Sequence, residues 1–178
     1  MDASVEVHPG IFIRENFLTP EEVNAIMEMC STKTDADWFK RGRDGVTIES
    51  LGLVSAVRER LEEIFDPELY IIRSFSQIQR REPGEHNALL WARKHEDERC
   101  YMSVLIVIND NYEGGEINFV DQEFEIRPKA GEIIIFPPTE EYKYNIKPIA
   151  DGGPFRYVLP ENIFHVELDQ GPRRPVTV

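Results

Sequence analysis

The feature that most constrains this chain is a succession of short apolar runs between residues 99 and 159, each cut off by turn-forming residues. Val104-Leu105-Ile106-Val107-Ile108 is continuously apolar, as a strand buried on both faces would be. It ends at Asn109-Asp110-Asn111. Tyr112-Glu113 then leads into Gly114-Gly115, a tight turn where positive φ is expected. Lys129-Ala130-Gly131 turns the chain into Ile133-Ile134-Ile135-Phe136, which Pro137-Pro138 closes, and Gly152-Gly153-Pro154 precedes Phe155-Arg156-Tyr157-Val158-Leu159. These are short β-favouring runs separated by Gly, Pro, Asn and Asp turns.

The residues before this stretch read differently. Thr19-Pro20-Glu21-Glu22 is a helix start: Thr19 caps, Pro20 suits the first helical position and Glu22 completes a capping box. Val23, Ile26, Met27 and Cys30 then fall on one helical face. Residues 50–65 carry Leu53, Val57, Leu61 and Ile64 at helical spacing, and Asp66-Pro67 stops them. Strands are expected over residues 10–14, 69–79 and 87–92. Residues 31–47 are polar around Trp38 and Phe39, with Trp38 expected to pack onto the core. Two helices followed by many strands give an α+β domain with its helices on one face.

The 178 residues suit one domain, expected over 1–168, with an extended tail over 169–178 that carries Pro172, Arg173, Arg174 and Pro175. A net charge of −13 argues against nucleic acid or an anionic membrane as partner. Residues 1–7 lack the apolar core of a signal peptide, and no run approaches the ~20 apolar residues of a membrane helix. Cys30 and Cys100 have no metal-motif spacing, and a reduced setting is the simpler reading.

Residues 71–164 resemble the double-stranded β-helix, or jelly-roll, of the 2-oxoglutarate/Fe(II) dioxygenases, in particular the prolyl 4-hydroxylase-like branch. The resemblance rests on Ser103 to Asn109, Asn111-Tyr112-Glu113-Gly114-Gly115-Glu116, Pro128-Lys129-Ala130-Gly131, Phe136-Pro137 and Arg156-Tyr157. It implies a site where Fe(II) is held by a His-x-Asp pair and a distant histidine, and where an arginine or lysine on a late strand takes the distal carboxylate of 2-oxoglutarate. Such a two-histidine, one-carboxylate triad leaves positions open for co-substrate and dioxygen.

The matching positions here are altered. The distant histidine falls on Tyr144, in Tyr144-Asn145-Ile146-Lys147-Pro148-Ile149. A phenol is a poor Fe(II) ligand, and as phenolate it suits the ferric state. His95-Glu96-Asp97 matches His-x-Asp as a string, but the family spacing puts the pair at Leu90 and Ala92, or by a shifted register at Ala92 and Lys94, and neither pair can bind iron. His95 and Asp97 would then belong to a charged, solvated run. Arg156 fits the co-substrate arginine, and its anionic partner is either 2-oxoglutarate or a carboxylate of this acidic chain. His8, His86 and His165 read as surface or satisfied histidines.

Three functions stay open. The leading expectation is a fold that has lost its iron site and serves as a structural or protein-binding module, with protein partners or self-assembly and no cofactor. Similar stand-alone domains occur in cyanobacterial tailed phages, so a virion-associated or a cytoplasmic location is expected. The second is an active hydroxylase using His95, Asp97, Fe(II) and 2-oxoglutarate. The third is a sensor that binds 2-oxoglutarate or another small acid through Arg156.

Overall fold

The computed structural model describes residues 4–38, 45–47, 52–72, 77–84 and 100–166. Among the described residues there are eleven strands and two α-helices. The strands are β1 (Val5–His8), β2 (Ile11–Arg14), β3 (Gly45–Thr47), β4 (Tyr70–Ile72), β5 (Gln77–Arg81), β6 (Cys100–Val107), β7 (Ile117–Phe119), β8 (Phe124–Ile126), β9 (Ile133–Phe136), β10 (Tyr144–Ile146) and β11 (Arg156–His165). The helices are α1 (Pro20–Ser31) and α2 (Val54–Ile64).

A large antiparallel sheet runs β1-β2-β9-β6-β11-β5-β3, with β4 also pairing β11. A second antiparallel sheet runs β10-β7-β8. Alternation of side chains splits the apolar residues into two cores. On β6, Val104 and Ile106 face the helices, while Leu105 and Val107 face the second sheet. Ile133 and Ile135 on β9 follow the first pair, and Ile134 and Phe136 follow the second. The helix-side core takes Ile26, Met29 and Cys30 from α1 and Val57, Leu61 and Ile64 from α2. The inter-sheet core adds Ile117, Phe119, Ile126, Tyr144 and Ile146. Each fully buried isoleucine in these layers contributes on the order of 1.5–3 kcal/mol. This is the jelly-roll of the sequence expectation, with both helices on one face of the large sheet.

Local chemistry sets the elements. The Thr19 Oγ1 accepts from the Glu22 amide at 3.2 Å and the Glu22 Oε2 accepts from the Thr19 amide at 2.8 Å, so the capping box forms. α2 begins at Val54 rather than near residue 50, because Gly52 sits at φ +66°, outside helical space. β11 continues to His165, well past Leu159. Pro160 lies opposite Leu105 where β11 passes from β5 to β4. Trp38 is buried, with its ring 5.7 Å from that of Tyr157 and the Arg80 guanidinium 4.8 Å from its centroid. His165 ends β11 half-buried against Tyr70 and Tyr101, at ring distances of 5.2 and 4.8 Å. Cys30 and Cys100 are buried and are not joined in a disulfide. The expected strand over residues 87–92 and the tail over 169–178 lie outside the described residues.

Candidate functional site

Arg156 opens β11. Its neighbours Phe155 and Tyr157 turn to the helix-side core, so the alternation of the strand sends Arg156 to the inter-sheet side. There it is 0% exposed, and neither Nε, Nη1 nor Nη2 makes a hydrogen bond. Burial pushes the guanidinium below its usual range and the nearby Arg81 adds to this, while Tyr112 and Tyr144 act the other way. Sequence reasoning placed an arginine here with an anionic partner; the structure gives no carboxylate among the described residues bonded to it.

Tyr112 lies in the loop after β6 and is also buried, with an unpaired hydroxyl. That hydroxyl makes no hydrogen bond, and it interacts electrostatically with the Arg156 guanidinium. Burial pushes the phenol up, and Arg156 and Arg127 pull it down. The loop is held firmly. Arg127 donates from Nη2 to the Tyr112 carbonyl and from Nη1 to the Gly114 carbonyl and, at 2.8 Å, to the Glu116 carboxylate. Its guanidinium also lies over the Tyr112 ring, 5.4 Å from the centroid. Gly114 and Gly115 adopt φ +78° and +74°, as the turn reading expected. The far side of Tyr112 lines an open cleft of about 450 Å³ with Asn111, Glu113 and residues 150–154.

Tyr144 begins β10 opposite Phe119 on β7 and points between the sheets. Its ring packs against Phe119 and Phe136 at 5.8 and 5.3 Å. It is therefore on the same inner face as Ile146, as the alternation of residues 144–149 requires. Among the described residues no three His, Cys, Asp or Glu side chains lie close enough to hold a metal. His95, Asp97, Leu90 and Ala92 all belong to residues 85–99, outside the described residues.

Two residues that matter here carried no functional meaning in the sequence. Tyr112 reads as part of a turn motif, and Asn109 as the polar end of an apolar strand. The one signal for Asn109 was an amide following a strand that has no other polar side chain after Ser103.

This architecture, a jelly-roll with an arginine at the start of its last strand, is the fold of the 2-oxoglutarate/Fe(II) oxygenases, in its prolyl hydroxylase-like form. A Pseudomonas putida prolyl-4-hydroxylase superposes with a TM-score of 0.64 at 18% identity, covering 87% of this chain and 92% of that one. A Trichoplax adhaerens prolyl hydroxylase, solved with a hypoxia inducible factor oxygen degradation domain peptide fragment, gives 0.64 at 17%, covering 92% and 88%. The viral collagen prolyl hydroxylase of Paramecium Bursaria Chlorella virus-1, in its 2OG complex, gives 0.63 at 13%, covering 86% and 95%. At these identities the likeness is one of fold. No protein-family profile and no curated protein matches the sequence. No helix among the described residues is long and apolar enough to cross a membrane.

Proposed function

We propose that this protein binds a small dicarboxylic acid of the 2-oxoglutarate class between its two sheets and lacks the ferrous centre that usually accompanies that ligand in this fold. The observation that carries the reading is the unpaired, fully buried guanidinium of Arg156. An arginine stays charged in a protein, and an uncompensated buried charge costs several kcal/mol. A ligand carboxylate offers two acceptor oxygens in the geometry a guanidinium binds best. One solved structure of this fold is a 2OG complex and another is an oxidoreductase of the 2OG-Fe(II) oxygenase family, which makes 2-oxoglutarate the first acid to try.

The residues present fit that acid and do not fit Fe(II) in the usual triad. At the distal ligand position Tyr144 supplies a phenol packed between two phenylalanine rings. A neutral phenol is a weak donor to a ferrous ion. The chain's own residues therefore support binding and orientation of an acid, with no oxidative step assigned to them.

Calorimetric titration of the purified protein with 2-oxoglutarate, glutarate and succinate tests this, alongside Arg156→Met. Saturable binding by the wild type that Arg156→Met abolishes is the expected result. The variant should also melt at a higher temperature without ligand, since an apolar side chain replaces an uncompensated charge. Failure of all three acids to bind would overturn the reading.

A further inference from the structure

We infer that Tyr70 and Tyr101 form a modification site at which a one-electron oxidant, a haem peroxidase supplied with hydrogen peroxide, joins the two phenols ring to ring. The bond staples β4 to β6 across the last strand.

The fold brings the two rings together by an indirect route. β4 and β6 are not neighbours: they pair opposite sides of β11, with Tyr70 opposite His165. Strands two apart in a sheet lie about 9–10 Å from each other, so side chains on them do not ordinarily stack. Here a bulge intervenes. Ile163 and Phe164 are consecutive on β11, yet they face Met102 and Cys100, which leaves Tyr101 as the extra residue of β6. Tyr101 and Met102 both pack against the helix-side core, which plain alternation would forbid. The bulge thus re-aims Tyr101 over β11 toward Tyr70. The two rings stack with centroids 4.5 Å apart and planes 19° from parallel. Phe65, itself buried, meets Tyr70 edge-on at 6.2 Å and backs the pair.

This arrangement suits phenol coupling. Both tyrosines are half-buried, so an oxidant in solvent reaches them. Oxidation takes one electron from each phenol, and each hydroxyl proton leaves. The two tyrosyl radicals carry spin on the carbons ortho to oxygen, and the stack sets the rings face to face for pairing. A carbon–carbon bond forms between two ortho carbons. Their hydrogens then leave as protons and both oxygens are protonated again, so the net loss is two electrons and two protons. Hydrogen peroxide takes these up and becomes two waters. The His165 imidazole lies 5.2 Å from the Tyr70 ring and 4.8 Å from the Tyr101 ring, a base beside both phenols. The new bond closes residues 71–100 into a covalent loop. Its ends can no longer separate on unfolding, which lowers the entropy of the unfolded chain.

The full-length protein, dilute enough that chains rarely meet, is treated with hydrogen peroxide and a haem peroxidase. Dityrosine fluorescence, intact mass, peptide mapping and melting are read before and after. Tyr70→Phe and Tyr101→Phe each keep a stacked ring and remove one phenol. Tyr142→Phe is the control, since that hydroxyl bonds the Pro9 carbonyl away from the pair. The expected product is a wild-type monomer lighter by two hydrogens, joined between the Tyr70 and Tyr101 peptides and melting at a higher temperature. Tyr142→Phe should give the wild-type yield, and the other two variants background only. A wild-type monomer that gains no dityrosine overturns the inference, as does a bond between other tyrosines or between chains only. A cross-link retained by Tyr70→Phe or Tyr101→Phe also overturns it, and so does a cross-linked monomer that melts no higher.

Discussion

Asn109 holds the backbone on both sides of Arg156: its Nδ2 donates to the Phe155 carbonyl at 2.8 Å and its Oδ1 accepts from the Tyr157 amide at 2.8 Å. One side chain thereby sets the strand carrying the buried guanidinium. Asn109→Ala removes both bonds and leaves a buried amide and carbonyl to find other partners. Each lost group costs about 1–3 kcal/mol. Chemical denaturation should show a combined loss of about 2–6 kcal/mol with an unchanged slope. Titration should also show weaker acid binding, because the strand that positions Arg156 is no longer pinned.

A second relationship joins the two helices. Arg60 on α2 donates from Nη2 to Oε1 of Glu22 at 2.6 Å and from Nη1 to Oε2 at 2.7 Å, and also to the Phe17 carbonyl at 2.8 Å. The hydrogen bond from Arg60 is the main reason the Glu22 carboxyl lies below the usual carboxylate range, with the Thr19 amide assisting. A depressed folded pKa contributes stability above the unfolded value and loses it as the pH falls through the folded value. The wild-type advantage over Glu22→Gln should therefore be full at neutral pH and vanish in acid. Solvent reaches both side chains, so the difference at neutral pH should be modest, about 1–2 kcal/mol. Melting curves of both proteins from neutral pH down into the acid range measure it.

The sequence was most legible where one period dominates. Val104 to Ile108 and Ile133 to Phe136 read as buried strands because every position is apolar, and Thr19 to Glu22 reads as a cap because Thr19 and Glu22 each satisfy a specific backbone group and Pro20 suits the first turn. β11 was legible only to Leu159, since Pro160 is a break in isolation and its tolerance depends on which neighbour lies beside it. Arg156 could be nominated by its place after Gly152-Gly153-Pro154. That its charge is unanswered depends on distances to residues far away in the chain, which no local pattern contains.

Gly114 gives a sharper test of the loop that carries Tyr112. It sits at φ +78°, and a Cβ there would overlap the Pro148 carbonyl oxygen, a backbone atom with no room to retreat. Gly114→Ala should cost more than the ~1 kcal/mol of a left-handed penalty alone, because steric displacement adds to it. The expected measurement is a lowered melting temperature together with faster hydrogen exchange at the Ala150 and Lys147 amides, which bond the Glu113 and Glu116 carbonyls at 2.9 Å each. Gly152→Ala is the control: it too has positive φ, at +74°, but a Cβ there meets nothing, so only the smaller conformational penalty should appear.

Tyr144 offers a test of the proposed absence of iron. Its ring meets Phe136 nearly edge-on, at an interplanar angle of 77°, and lies tilted on Phe119. Tyr144→His keeps a ring on the inner face of β10 but reduces both contacts, so a stability loss of about 1–2 kcal/mol is expected. The imidazole then stands where the fold's distal ligand is expected. By the sequence register the other two positions belong to Leu90 and Ala92, and a lone histidine does not retain Fe(II). Metal analysis after anaerobic loading should therefore find no retained iron in the wild type or in Tyr144→His. Tyr144→His combined with Leu90→His and Ala92→Asp should retain close to one equivalent. Iron held by the single variant would instead assign the remaining ligands to His95 and Asp97. It would show that only the distal position had been lost, and the acid held by Arg156 would then be a co-substrate one substitution away from use.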